Sequence, residues 1–101
     1  MDSRIEDILK LLRAYHPEKV ILFGSYARGS FDRYSDLDLV VIKRTRKRFL
    51  DRIKEVIRII KPRSGIDVLV YTPDEFSRMV RSGNPFIQGV LREGKIVYEK
   101  R

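Results

Sequence analysis

The segment of residues 24–41 constrains the fold of this chain more than any other. It reads Gly24-Ser-Tyr-Ala-Arg-Gly-Ser-Phe-Asp-Arg-Tyr-Ser-Asp-Leu-Asp-Leu-Val-Val41, a small-residue turn followed by two aspartates that alternate with leucines. Alternate positions of a strand share one face, so both carboxylates leave the strand on the same side. Residues 39–42 are apolar on both faces, which is typical of a central buried strand. The segment therefore predicts a β-sheet with a buried strand that carries two carboxylates.

Hydrophobic spacing and breaker residues predict the other elements. Ser3 and Glu6 form a capping pattern, and Thr72-Pro-Asp-Glu75 combines a hydroxyl N-cap, a proline at the first helical position and an acid at the third. Helices are predicted over residues 3–14, after 24–25, over 49–60, from 72 to a break at 83–85, and over 86–92; strands are predicted over 19–23, 35–42, 66–71 and 96–98. The order α-β-α-β-α-β-α-α-β predicts an α+β fold.

Length and composition narrow the class of protein. A chain of 101 residues predicts a single domain, 1–101, and the absence of cysteine excludes disulfides and Cys-ligated zinc. We expect a soluble and unprocessed protein, because no signal-peptide pattern and no apolar run of about 20 residues occurs, and the absence of cysteine favours a cytoplasmic setting. The net charge of +8 favours polyanionic ligands: nucleoside triphosphates, nucleic acid or an acidic protein.

Asp36 and Asp38 are candidate metal ligands. Two like charges this close on a half-buried surface need a counterion, and a pair of Mg²⁺ ions, which prefer oxygen ligands, would supply it. Asp67 opens the third predicted strand, where a carboxylate among aliphatic residues is out of character. If the two strands are neighbours, Asp67 completes a three-carboxylate cluster and is the natural general base for an incoming hydroxyl. The alternative is solvated strand-start acids, with Asp67 paired to Arg63 or Lys61.

Gly24 and Ser25 lie where a strand turns into a helix. Glycine lets the backbone approach a phosphate, helix N-terminal amides attract anions, and Ser25 adds a hydroxyl donor or serves simply as an N-cap. The spacing to Gly29 is that of a P-loop, but Ser30-Phe31 follows where Lys-Ser or Lys-Thr is required. Gly29 is instead predicted to end the helix in a left-handed cap. Arg28 is placed either to neutralise triphosphate charge or to form a structural ion pair.

Two further features have more than one interpretation. Residues 43–48, Lys-Arg-Thr-Arg-Lys-Arg, form either a solvated basic loop or a contact for an acidic partner or nucleic acid. Tyr26 and Tyr34 flank the candidate site and are candidates for stacking on a nucleobase.

The run Gly-Ser-x-x-x-Gly, five residues, then Ser-Asp-x-Asp-Leu resembles the signature of the polymerase-β-type nucleotidyltransferase superfamily. The small size and the Ala-Arg-Gly around Arg28 resemble the minimal nucleotidyltransferases of prokaryotes, the MNT proteins. The resemblance extends from the first helix to the strand of Asp67. It implies the polymerase-β-type fold, a small mixed β-sheet backed by helices on one face.

The resemblance also implies roles for individual residues. Gly24 and Ser25 match the triphosphate-binding turn, Asp36 and Asp38 match the two metal-binding aspartates, and Asp67 matches the third carboxylate on a neighbouring strand. The implied cofactor is Mg²⁺, with two ions expected, and the implied substrate is ATP. Nothing essential in that set is missing, so we expect a competent enzyme.

MNT proteins are typically encoded with HEPN-domain toxins, and the resemblance implies an antitoxin that transfers AMP from ATP to a tyrosine hydroxyl of such a toxin. Larger relatives carry a second domain that helps to hold base and acceptor, so a partner, a homodimer or both are expected here. Nucleic acid is a less favoured partner, and no membrane partner is expected. The alternatives are a non-catalytic antitoxin that acts by occlusion, and nucleotidyl transfer to a small molecule.

Overall fold

A computed structural model describes residues 3–32, 35–63 and 65–101. The helices are α1 (Ser3–Leu12, continued by a short 3₁₀ turn, Arg13–Tyr15), α2 (Gly24–Arg28), α3 (Phe49–Ile60), α4 (Pro73–Arg81) and α5 (Pro85–Glu93). The strands are β1 (Lys19–Phe23), β2 (Leu37–Ile42), β3 (Ile66–Tyr71) and β4 (Lys95–Glu99). The predicted order of elements and the α+β class are confirmed.

The described strands form one mixed sheet in the order β3-β2-β1-β4. Strand β1 is antiparallel to β2 and β4, whereas β2 and β3 are parallel. The last residue of β1 and the first residues of β2 and β3 therefore lie at the same end of the sheet. We call this end, which carries Gly24, Asp38 and Asp67, the acid end. The basic residues 43–48 follow β2 at the opposite end.

The sheet has apolar residues on both faces. On one face, Leu22, Leu39 and Val70 belong to a core that includes Ile5 of α1 and Val56 of α3. The other face carries a smaller cluster, to which α5 contributes Val90 and against which Phe76 of α4 packs; its sheet residues are Ile21, Val40 and Ile42. The expectation of helices on one face only is therefore wrong, because α4 and α5 cover part of the second face.

The predicted turn chemistry is present at two of the three helix ends that the sequence singled out. At the third, Ser3 is already within α1 and is not the N-cap that the Ser3–Glu6 pattern predicted. Gly29 has φ of 75° and its N–H donates to the carbonyls of Ser25 and Tyr26, a left-handed cap. The Glu75 N–H donates to Thr72 Oγ1 at 3.2 Å and the Thr72 N–H to Glu75 Oε1 at 2.8 Å, which completes a capping box. Strand β2 begins two residues later than predicted, because the Ser35 N–H turns back to the carbonyl of Asp32.

Arg52 ties together three segments at the end of the sheet opposite the acids. This side chain is buried, and it donates to the carbonyls of Lys47 at 2.8 Å and Val70 at 3.2 Å. Its guanidinium also makes two hydrogen bonds to the Glu75 carboxylate, at 2.7 and 3.2 Å. These bonds from Arg52 are the main reason that the pKa of Glu75 is lowered from its ordinary value.

The basic residues 43–48 are partly engaged within the protein. Lys43 donates to the Tyr15 carbonyl and lies over its ring, Arg44 pairs with Glu18, and Lys47 pairs with Glu55. Contact of this loop with a partner remains a prediction. No helix in the described part of the chain is both long enough and apolar enough to cross a membrane.

Candidate active site

Two carboxylates from neighbouring strands meet at the acid end. Asp38 of β2 and Asp67 of β3 are register partners in the parallel pair, so their side chains lie on one face. The two carboxylates are close enough that Asp67 favours the protonated form of Asp38, through a hydrogen bond to that form and through its negative charge. Among the described residues, no salt bridge joins Asp67 to Lys61 or Arg63. The strand adjacency that the sequence analysis required is therefore present.

Asp38 holds its proton more tightly than an ordinary aspartate. Burial, the hydrogen bond with Asp67 and the negative charges of Asp67 and Asp36 raise its pKa from 3.8 to about 6, whereas the charge of Arg28 lowers it. A proton on Asp38 relieves the repulsion within this pair as the pH falls toward that value. A pair of like-charged carboxylates of this kind is a favourable place for a cation with a preference for oxygen.

Both aspartates of the Asp-Leu-Asp run lie against a glycine. A Cβ added to Gly24 would lie 2.2 Å from Asp38 Oδ2, and one added to Gly65 would lie 1.8 Å from Asp36 Oδ1. The missing side chains therefore leave the space that the carboxylates fill. Gly24 also has φ of 73°, a conformation that favours glycine. Sequence reasoning missed Gly65, although its position two residues before Asp67 was a readable signal.

The three candidate acids do not lie equally close to one another. Asp38 and Asp67 are register partners on adjacent strands, while Asp36 lies over Gly65, close enough for its charge to raise the pKa of Asp38. In residues 3–32, 35–63 and 65–101, no three acidic or histidine side chains form a group compact enough to hold a metal ion together. The donor chemistry fits a hard divalent cation, since all three groups offer oxygen and negative charge.

The turn selected for phosphate contact adjoins this pair. Gly24 and Ser25 begin α2 directly after Phe23, and Phe23 is the register partner of Asp38. Arg28, at the other end of α2, has its Nη1 3.5 Å from Glu93 Oε2 of α5, and the side chain remains about half exposed. Arg28 therefore forms the structural ion pair, while its charge also reaches Asp38.

The aromatic residues beside the site differ from those proposed from the sequence. Tyr26 is buried, stacks on Phe31 at 4.2 Å and accepts a hydrogen bond from Arg4, so its ring is not available to a nucleobase. Tyr34 lies outside the described residues. Phe23 and Phe86 instead form an edge-to-face pair with ring centroids 5.4 Å apart, beside Asp38.

The fold and the paired strand carboxylates define a class of protein that comparison with known families also identifies. The family described as "Polymerase beta, Nucleotidyltransferase" matches residues 6–101. The chain belongs to this nucleotidyltransferase family.

Individual relatives come from the archaeon Methanocaldococcus jannaschii. The protein named "Putative protein adenylyltransferase MJ1305" is 39% identical over 85 residues, which cover 80% of this chain and 58% of that protein. The protein named "Putative protein adenylyltransferase MJ0604" is 29% identical over 83 residues, which cover 80% of this chain and 78% of that protein. The chain thus spans little more than half the length of the first of these relatives.

Solved structures share the fold. One described as a putative nucleotidyltransferase from Sulfolobus solfataricus aligns with a TM-score of 0.58 and 22% identity, over 99% of this chain and 90% of that chain. Another, described as a toxin-antitoxin with AMP-PNP, aligns with a TM-score of 0.61 and 24% identity, over 95% of this chain and 73% of that chain. At these identities the likeness shows the fold alone.

Proposed function

We propose that this protein is an antitoxin that transfers AMP from ATP to a hydroxyl group of a partner toxin. The observation that carries the proposal is the Asp38–Asp67 pair, held on adjacent strands beside the Gly24 turn. The names of the archaeal relatives support protein adenylylation as the activity. The toxin-antitoxin description of a structural neighbour, which holds an ATP analogue, supports the setting.

Asp36, Asp38 and Asp67 are the residues that would hold Mg²⁺, with two ions expected. Bound there, the ions would supply charge stabilisation to the attacking and leaving oxygens of an in-line displacement. Asp36, whose carboxylate lies over Gly65, would join Asp38 and Asp67 when the ions bind.

The remaining groups have separate roles in the transfer. Gly24 and Ser25 receive the triphosphate through backbone and hydroxyl donors, and Arg28 adds positive charge. The acceptor oxygen forms a bond to the α-phosphorus of ATP, the bond from that phosphorus to the bridging oxygen breaks, and pyrophosphate leaves. Asp67, which is exposed, takes the proton of the acceptor hydroxyl.

We further propose that the acceptor is a tyrosine of a HEPN-type toxin. The site is open toward solvent, since Asp36 and Asp67 are both exposed, so a side chain on another protein can reach it. A homodimer is compatible with the same openness.

The test is to mix the purified protein with a HEPN-type toxin from its own source organism, with Mg-ATP or with EDTA. We expect the toxin to gain the mass of one or more AMP groups, and to lose activity, only with Mg-ATP, and we expect peptide mapping to place AMP on a tyrosine. Full neutralisation in EDTA without nucleotide would instead establish inhibition by occlusion.

A separate prediction concerns Gly24. Gly24→Ala should lose most transfer activity, because the new Cβ meets the Asp38 carboxylate at 2.2 Å, and should lose about 1 kcal/mol of stability to its positive φ. Gly29→Ala is the matched control: Gly29 has φ of 75° but no described atom within 4 Å of an added Cβ. Urea unfolding should show the loss due to positive φ in both variants and a larger total loss for Gly24→Ala, which also displaces the Asp38 carboxylate, and only Gly24→Ala should lose transfer. Equal transfer rates would contradict the proposed closeness of Gly24 to the reacting groups.

A further inference from the structure

We propose that Arg4 is a positioning residue for the acid end, an inference that rests on the proposed function. Its guanidinium donates from Nη1 to the Tyr26 hydroxyl at 3.0 Å and from Nη2 to the Gly65 carbonyl at 2.5 Å. A longer contact of 3.5 Å joins Nη1 to the Ser35 carbonyl. One side chain in the first turn of α1 therefore bonds to three segments that are distant in sequence.

Each of the three acceptors adjoins a proposed site residue. Tyr26 follows Ser25 in α2, Ser35 precedes Asp36, and Gly65 lies two residues before Asp67. The phosphate turn and the segments that carry two of the acids are thus connected through one planar cation. Because the guanidinium presents several donors in a fixed arrangement, its bonds fix the relative positions of these segments as well as their separation.

Gly65 is the most consequential of these contacts. Its carbonyl accepts the Leu37 N–H at 3.1 Å in addition to the bond from Arg4, so the first residue of β2 and Arg4 both hold the same peptide group. The Cα of that glycine lies under the Asp36 carboxylate. Displacement of Gly65 would therefore move the surface on which Asp36 rests and the start of the strand that carries Asp67.

The anchoring of α1 does not depend on Arg4. The helix buries Ile5, Ile8 and Leu12 in the main core, which fixes its position on the sheet. Loss of Arg4 should consequently disturb the three site segments more than the packing of the helix. Removing a residue that orients metal ligands without binding the metal typically lowers metal affinity or activity by 10- to 100-fold.

The test measures Mn²⁺ binding by electron paramagnetic resonance titration, together with AMP transfer to the toxin. Arg4→Ala should bind Mn²⁺ about 10-fold more weakly and transfer AMP at least about 10-fold more slowly. Arg4→Lys, which keeps the charge but not the planar set of donors, should recover part of both. Arg52→Lys is the matched control, since it alters a buried arginine bonded to carbonyls at the opposite end of the sheet. It should lower the melting temperature without changing Mn²⁺ affinity.

Asp67→Asn separates failure of this proposal from failure of the proposed function. If Asp67→Asn binds Mn²⁺ as the wild type does, the proposed metal site itself is wrong. If Asp67→Asn loses Mn²⁺ while Arg4→Ala retains wild-type affinity and transfer, the role assigned to Arg4 is overturned. Should Arg4→Ala fail to fold, Arg4→Lys decides: wild-type values for that variant overturn the proposal.

Discussion

Asp38→Asn is expected to abolish AMP transfer and, at neutral pH, to stabilise the fold. The carboxylate is a proposed metal ligand, so its loss should remove about 4 kcal/mol of transition-state stabilisation, or about a thousand-fold in rate. Stability should rise for a different reason. Asparagine keeps a hydrogen-bond donor toward Asp67 but removes one of two adjacent negative charges.

The stability that Asp38→Asn gains over the wild type should increase with pH. The folded-state pKa of Asp38, about 6, lies above the ordinary value of 3.8, so the folded protein binds this proton more tightly than the unfolded chain does. Wild-type stability should fall as pH rises through that interval. The advantage of Asp38→Asn should therefore be full above the folded-state pKa and absent below the ordinary aspartate value. Because water reaches this pair, we expect a gain on the order of 1 kcal/mol.

Urea unfolding in EDTA, on either side of that interval, measures the effect. Asp7→Asn is the control, because Asp7 is exposed on α1 and should change neither transfer nor stability. A variant Asp38→Asn with wild-type transfer, or with lower stability at neutral pH, would contradict the description of this pair.

Arg52→Met is expected to cost about 3 kcal/mol of stability while leaving transfer unchanged well below its melting temperature. Methionine fills much of the volume but leaves the carbonyls of Lys47 and Val70 without the donor that Arg52 provides, and it releases Glu75. A buried acceptor deprived of its donor costs about 1–3 kcal/mol. The acid end contains none of these contacts.

The contribution of the Arg52–Glu75 pair should also depend on pH. The folded-state pKa of Glu75 is lowered, so its stabilisation is present above the ordinary glutamate value of 4.5 and is lost as pH falls through the folded-state pKa. Urea unfolding should therefore show a smaller penalty for Arg52→Met in acid. Arg44→Met is the comparison, because Arg44 pairs with Glu18 at a side chain that is 78% exposed and should cost under about 1 kcal/mol. Equal costs for the two variants would show that Arg52 is not a buried anchor.

Local chemistry made much of the fold predictable. The Thr72–Glu75 capping box and the Gly29 cap depend on residues within a few positions of each other, and both were found as predicted. The faces covered by helices were not predictable in this way. The packing of Phe76 and Val90 on the second face depends on where the chain travels after β3, which periodicity alone does not determine.

The candidate site also has features that could be predicted from the sequence and features that could not. The pairing of Asp38 with Asp67 was predictable once two adjacent strands were assumed, because alternation determines the face. The role of Gly65 beneath Asp36 and the bonds of Arg4 were not, since they join residues 22 to 61 positions apart that no local pattern connects. Tyr26 illustrates the converse error: proximity in sequence placed it near the site, but its ring is used in packing against Phe31.

The partial cover on the second face of the sheet has a consequence for water. Helices α4 and α5 pack over Ile21, Val40 and Ile42, while Asp36 and Asp67 remain exposed. A reaction that transfers an adenylyl group to one particular hydroxyl has to keep water from competing as the nucleophile. In the proposed reaction, the described residues of this protein do not shield the site from water. The surface of the acceptor protein therefore has to exclude it. The toxin would then be both the substrate and the lid, and transfer would be fastest where the two surfaces fit.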